Sequence, residues 1–184
     1  WNEVEFANLG EADRFPVRGA YLDEAIALWR HLWGGSEAPF HGRFHDLTDY
    51  VFEPLPPQGA ALPIVVGGWS PAALRRAGQI ADGYQPTSSS PAKAAERMAV
   101  VHAHAEAAGR PVPALSARVH VEPFAPVDSG PDAGYALRGT PEQIGAEIAA
   151  WEAIGASHLA LYFESVTPEA IVHDVEWFVG EIGP

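Results

Sequence analysis

Four Ser/Thr-Pro junctions, Ser70-Pro71, Ser90-Pro91, Thr140-Pro141 and Thr167-Pro168, divide the chain beyond residue 62 into repeats of one pattern. Each repeat is a short apolar run, then the junction, then a helical pattern. A Ser or Thr N-cap accepts a hydrogen bond from an orphan backbone N–H, and Pro at the first helical position supplies the right φ where no donor is needed. The spacing predicts strands at Leu62 to Val66, Asp82 to Pro86, Leu115 to Glu122 and His158 to Glu164. The helices that follow carry apolar residues at helical spacing: Ala77 and Ile80; Ala95, Met98 and Val101; Ile144, Ile148 and Trp151; Ile171, Val175, Phe178 and Val179. Thr140 with Gln143 matches a capping box, and Gly109 and Gly155 stand where helices end. A further helix is expected over about Val17 to Trp33, closed by Gly34-Gly35. A Pro- and Gly-rich excursion, Gly34 to Pro63, follows it, with a short hairpin around Phe40 to Phe44.

Strands alternating with helices mean βαβ units and a parallel sheet, either open and doubly wound or part of a (β/α)₈ barrel. The strands favour the barrel. Arg118, His120 and Glu122 alternate with Val119 and Val121, and His158, Ala160, Tyr162 and Glu164 alternate with Leu159, Leu161 and Phe163. One face is apolar and the other polar, whereas strands covered on both faces read as continuous apolar runs. Four βα units are half a barrel, since a full one takes about 250 residues. The chain has 184 residues and no initiator Met, so it is expected to begin partway through a longer protein.

Composition removes several function classes. The absence of Cys excludes a disulfide scaffold, a thiolate nucleophile and a cysteine-based metal site, and fits a cytoplasmic setting. A net charge of −13, with no basic cluster beyond Arg75–Arg76, argues against nucleic acid as a partner. No run approaches the roughly 18 apolar residues of a membrane span, and the start WNEVEFANLG has no signal-peptide pattern. His102 with Glu106, and His41 with His45, lack the third ligand of a metal site, so no metal is expected.

The sharpest local motif is PIVVGGWSPAAL, a strand running through two glycines into a capped helix. Glycines admit a phosphate close to the backbone, and a helix N-terminus attracts anions. Gly67, Gly68, Trp69 and Ser70 are therefore an expected anion site, although an ordinary βα turn also uses glycine for geometry. The segment PIVVGGWSPAALRRAGQIADGY resembles the phosphate-loop strand and helix of the luciferase-like monooxygenase superfamily, particularly its coenzyme F420-dependent oxidoreductases. Matches in the family's order include Trp1-Asn2-Glu3, Leu22-Asp23-Glu24-Ala25, Phe40-His41-Gly42, Ala81-Asp82-Gly83 and Gly139-Thr140-Pro141-Glu142.

That resemblance implies a (β/α)₈ barrel of which residues 1–184 are the C-terminal part, a single domain carrying the fifth to eighth strands. It implies F420, or alternatively FMN, held at the C-terminal ends of the strands, with Gly67, Gly68, Trp69 and Ser70 at the cofactor phosphate and Asn2 beside the cofactor. The implied reaction is hydride transfer between F420 and a small-molecule substrate, or FMN-dependent monooxygenation. The acidic charge weighs slightly against F420, whose tail is anionic.

Catalytic candidates in this half are the polar groups at the mouth ends of the last strands: His120, Glu122, Tyr162 and Glu164. His120 can move a proton near neutral pH, and Glu122 shares its strand face. The same positions also suit a buried polar layer, in the case of Arg118 and His120, or a solvent-facing carboxylate, in the case of Glu164. The segment Pro123 to Arg138 reads as a loop over the mouth, or simply as a long connection. A non-catalytic half-barrel is the rival from another class. It would be expected to homodimerise, because a bare parallel edge exposes unpaired N–H and C=O groups.

Overall fold

The computed structural model describes residues 2–127 and 134–183, which divide into two compact units, 1–64 and 65–184. In the first unit, helix α1 (Glu3–Asn8) leads through a 3-10 turn, Ala12–Val17, into α2 (Arg18–Trp33). Helix α2 buries Ala25, Ile26 and Leu28 and ends at Gly34, with Gly35 at φ +69. This is the helix and stop expected from the sequence. The expected hairpin is present too, as β1 (Phe40–His41) antiparallel to β2 (Asp46–Leu47).

The hairpin turn is tied to α2 by Glu24. Its carboxylate accepts the backbone N–H groups of Arg43 at 2.7 Å, Phe44 at 2.8 Å and His45 at 2.7 Å, and lies 3.0 Å from His45 Nδ1. Desolvation works to raise the Glu24 pKa, but these donors outweigh it and hold the carboxyl below its usual 4.5. Because the folded value is the depressed one, the unfolded chain binds more protons between the two values. The contribution is therefore complete above pH 4.5 and is lost as pH falls through the lower folded value. We expect the Phe44 and His45 amide signals to collapse first in an acid titration followed by NMR, and Glu24→Gln to remove that acid step. Parallel loss in both proteins would refute the tie.

The second unit is built on five parallel strands: β3 (Val65–Gly67), β4 (Gly83–Gln85), β5 (Ala114–Pro123), β6 (Ala136–Gly139) and β7 (Ala156–Tyr162). Strand order runs β3-β4-β5-β6, and β7 also pairs with β5. β7 lies along Leu115 to His120, and β6 along His120 to Pro123. All four Ser/Thr-Pro junctions cap helices. Ser70 opens α3 (Pro71–Ile80), Ser90 opens α4 (Pro91–Ala107), Thr140 opens α5 (Pro141–Ala153) with a full capping box, and Thr167 opens α6 (Pro168–Glu181).

Three expectations are adjusted. The last strand ends at Tyr162 rather than Glu164, which leaves Glu164 two residues beyond it. The first strand starts at Val65 rather than Leu62, because Pro63 has no N–H for the ladder. β6 begins inside the segment read as a loop and runs one residue past it, and its four residues, Ala-Leu-Arg-Gly, are too few to show a period of two. Of that segment, 128–133 fall outside the described residues.

The core lies on the apolar face of β5. Ala117, Val119 and Val121 pack with Ala94, Leu137, Ile144 and Trp151, and the half-buried Leu159, Leu161, Trp177 and Phe178 close around them. Alternation leaves Arg118, His120 and Glu122 on the opposite face. No helix among the described residues is long and apolar enough to cross a membrane.

Candidate functional site

Two groups of residues gather at the C-terminal ends of these strands, the side where parallel α/β folds place ligands. The first is the β3–α3 turn. Val66 is buried, the chain then passes Gly68 at φ +104, and Ser70 caps α3 by accepting the Ala73 N–H at 3.2 Å. A Cβ on Gly68 would lie 3.0 Å from the Ala73 Cβ, and one on Gly67 would lie 3.1 Å from the Gln85 carbonyl oxygen. Gly68 therefore needs glycine for its φ, and a side chain at Gly67 would press on the neighbouring strand.

Tyr84 pins the turn from the neighbouring strand, its hydroxyl donating to the Gly68 carbonyl at 2.9 Å. Burial pushes the Tyr84 pKa up, with Arg97 acting in the other direction, so the phenol stays a neutral donor through neutral pH. Arg97, on α4, sets its guanidinium 5.3 Å from the centre of the largely exposed Trp69 ring and donates to the Ser89 hydroxyl. Gly67, Gly68, Trp69 and Ser70 are thus where the sequence places them. Tyr84 and Arg97 join them through tertiary contacts alone. Glycine backbone, a helix N-terminus and a guanidinium together suit a phosphate.

The second group lies on the polar face of β5 and β7. The register sets His120 opposite Tyr162, and their rings stack at 4.7 Å with planes 12° apart. The Arg118 guanidinium lies 4.1 Å from the centre of the Tyr162 ring. His120 is buried, with Nδ1 2.9 Å from Glu122 Oε1. Its Nε2 has no hydrogen-bond partner, the nearest carboxylate oxygen being Glu164 Oε1 at 3.8 Å.

Glu122 is gripped by Arg138 through both oxygens, at 2.6 and 2.9 Å. Those bonds, against some desolvation and with help from the Arg138 charge and His120, hold the Glu122 carboxyl below the usual range. The four catalytic candidates, His120, Glu122, Tyr162 and Glu164, therefore form one cluster. Arg138 completes it and was not expected, because it belongs to the unexpected strand β6. Of the buried polar layer considered for Arg118 and His120, only His120 is buried, and it is only half satisfied.

The two groups stand on one paired framework, since Gly67 pairs with Gln85 and Thr87 bridges to Arg118. Asn2 belongs to the first unit, where its side-chain oxygen caps α1 by accepting the Val4 N–H at 3.1 Å. His41 and His45 are engaged by Asp46 and Glu24.

The chain is 30% identical over 141 residues to the F420-dependent glucose-6-phosphate dehydrogenase of Gordonia bronchialis, covering 76% of this chain and 40% of that protein. Its fold matches an F420-dependent secondary alcohol dehydrogenase solved with an F420-acetone adduct, with a TM-score of 0.74 at 16% identity, over 91% of this chain and 62% of the other. It also matches the EDTA monooxygenase of Chelativorans sp. BNC1, with a TM-score of 0.72 at 16% identity, over 100% of this chain and 63% of the other. The chain thus spans 40% of that curated relative's length and under two thirds of either solved chain. Its parallel α/β fold is that of part of the luciferase-like (β/α)₈ barrel. Since the family model described as luciferase-like monooxygenase matches residues 1–133, this chain belongs to that family of oxidoreductases and monooxygenases.

Proposed function

We propose that the chain is part of an F420-dependent oxidoreductase that transfers hydride between coenzyme F420 and a small organic substrate. The observation that carries this reading is the β3–α3 turn, two adjacent glycines leading into the capped N-terminus of α3, with Arg97 beside it and the His120 cluster on the neighbouring strands of the same sheet. The residues present fit a cofactor phosphate. The backbone of Gly67, Gly68 and Trp69 and the Ser70 hydroxyl would hold it, and Arg97 would balance its charge. When bound, F420 supplies the hydride acceptor or donor at its C5.

The chain's own part in the reaction is to fix that group and to manage a proton. His120 holds or releases the proton, Tyr162 keeps the imidazole plane fixed by stacking, and Glu164 stands as an exposed carboxylate near Nε2. Binding of F420-type relatives' cofactor is supported by the likeness to the Gordonia enzyme.

FMN is the second reading. The net charge of −13 favours it, because it opposes a polyanionic tail, and the likeness to a monooxygenase agrees. Titration of the intact protein with F420 and with FMN, followed by fluorescence and absorbance, decides between them. We expect F420 to bind at micromolar concentration. Binding of FMN alone would transfer the proposal to FMN chemistry, and binding of neither would leave a non-catalytic barrel.

A further inference from the structure

Arg138 and Glu122 face each other because β6 pairs with the end of β5, Glu122 opposite Arg138. The guanidinium has no freedom to leave. Nε and Nη2 donate to the two Glu122 oxygens, Nη1 donates to the Gly134 carbonyl at 2.9 Å, and the side chain is only 12% exposed. A forked carboxylate cannot rotate, so Oε1 stays aimed at His120 Nδ1, 2.9 Å away. An ionised carboxylate only accepts hydrogen bonds, so the ring nitrogen facing it must carry the proton. In the neutral imidazole the other nitrogen, Nε2, is then bare.

That nitrogen is the one buried side-chain atom of the cluster without a partner among the described residues. An unmet buried polar atom costs about 1–3 kcal/mol, so its survival calls for a use. Its ring is held by the stack on Tyr162, with Arg118 over the same phenol ring. The charged and titratable groups around the imidazole are Glu122 and Arg118 from β5, Arg138 from β6, Tyr162 at the end of β7, and Glu164 two residues beyond it. The Glu164 side chain is 84% exposed, with its Oε1 3.8 Å from Nε2.

We propose that Arg138 and Glu122 are positioning residues that lock His120 as its Nδ1–H tautomer, leaving Nε2 as the proton acceptor for the hydroxyl of an alcohol substrate. The first half stands on the geometry alone, and the second rests on the oxidoreductase reading. With F420 bound to take the substrate's C–H electron pair as hydride, the O–H proton would move to Nε2. The O–H electron pair becomes the second C–O bond of the carbonyl product, and the imidazolium formed is balanced by Glu122. Glu122 thus acts through His120 rather than on the substrate.

The test is nitrogen NMR of the intact protein labelled with ¹⁵N-histidine, at about pH 8, above the ordinary imidazole pKa. His120 is assigned by the signal lost in His120→Gln. We expect the Nδ1–H form in the unsubstituted protein, and a fall of about tenfold in its ratio to the Nε2–H form in Arg138→Met and in Glu122→Gln, the cost of one charge-assisted hydrogen bond. An Nε2–H ring at the outset, or a ratio unchanged in Glu122→Gln, overturns the proposal. Glu122→Gln is isosteric and decides alone if Arg138→Met fails to fold. In turnover, kcat should fall about tenfold in Arg138→Met with KM little changed, and Arg138→Lys should recover part of it. F420 titration of the unsubstituted protein reads the functional proposal separately: loss there leaves the ring result standing, whereas a shifted kcat with an unshifted ring rejects the tautomer lock.

Discussion

Gly68→Asp is expected to lower F420 affinity by about a hundredfold or more. Two effects add. At φ +104 any side chain is strained, and its Cβ would press on Ala73 at 3.0 Å, a cost of about 1–3 kcal/mol in the turn proposed to hold the cofactor phosphate. A phosphate bound at this turn would also meet the carboxylate's charge, and two like charges about 4 Å apart near a surface repel by roughly 1–4 kcal/mol. Since about 1.4 kcal/mol is a factor of ten, the sum of roughly 2–7 kcal/mol has a mid-range value above two decades. Gly68→Ala separates the terms, keeping the strain without the charge, and should lose only about tenfold. Titration by F420 fluorescence on proteins with matching circular dichroism reads both. If Asp and Ala bind equally, no phosphate lies at this turn.

Trp151→Ala should be the most destabilising single truncation of the second unit, by about 3–5 kcal/mol. Trp151 is fully buried among Ala117, Val119, Val121, Leu137 and Ile144, so its removal leaves a cavity against both β5 and β6. Its indole N–H also donates to the Tyr135 hydroxyl at 3.1 Å, and that hydroxyl donates to Glu147 at 2.7 Å. Burial, reinforced by Glu147, pushes the Tyr135 pKa far up, so the phenol is a permanent donor in this chain. Trp151→Phe keeps most of the volume and loses the indole bond, and should cost clearly less. Urea unfolding of the intact protein measures both. A loss of under about 1 kcal/mol for Ala would mean that this layer does not carry the core.

What the sequence revealed of this architecture is what is local. The four Ser/Thr-Pro junctions cap helices because capping is decided within three residues, and Gly109 and Gly155 end helices at φ +64 and +85 for the same reason. The two-residue alternation along β5 separated the Val119 face from the His120 face, and with it the four candidates that the structure gathers. What stayed hidden depends on chain distance. Arg138 reaches Glu122 across sixteen positions on a strand too short to show a period, and Arg97 meets the β3–α3 turn from a different helix. Glu24 meets its three amides about twenty residues away. Nothing in the residues between announces these pairings.

The register between β5 and β7 slips once, between Leu115 and Ser116: Leu115 pairs with Ala156 but Ser116 with His158. Ser157 is the supernumerary residue, its hydroxyl donating to the Leu115 carbonyl at 3.0 Å. All the slack of this strand pair is stored in that one position. A lineage could lose Ser157 and keep His120 beside Tyr162, because the ladder downstream would simply become regular. Losing any one residue from His158 to Leu161 would set Phe163 across from His120, and would turn core and chemistry inside out in a single event. Length variation in this part of the family should therefore concentrate at the foot of the strand and be absent from its upper half.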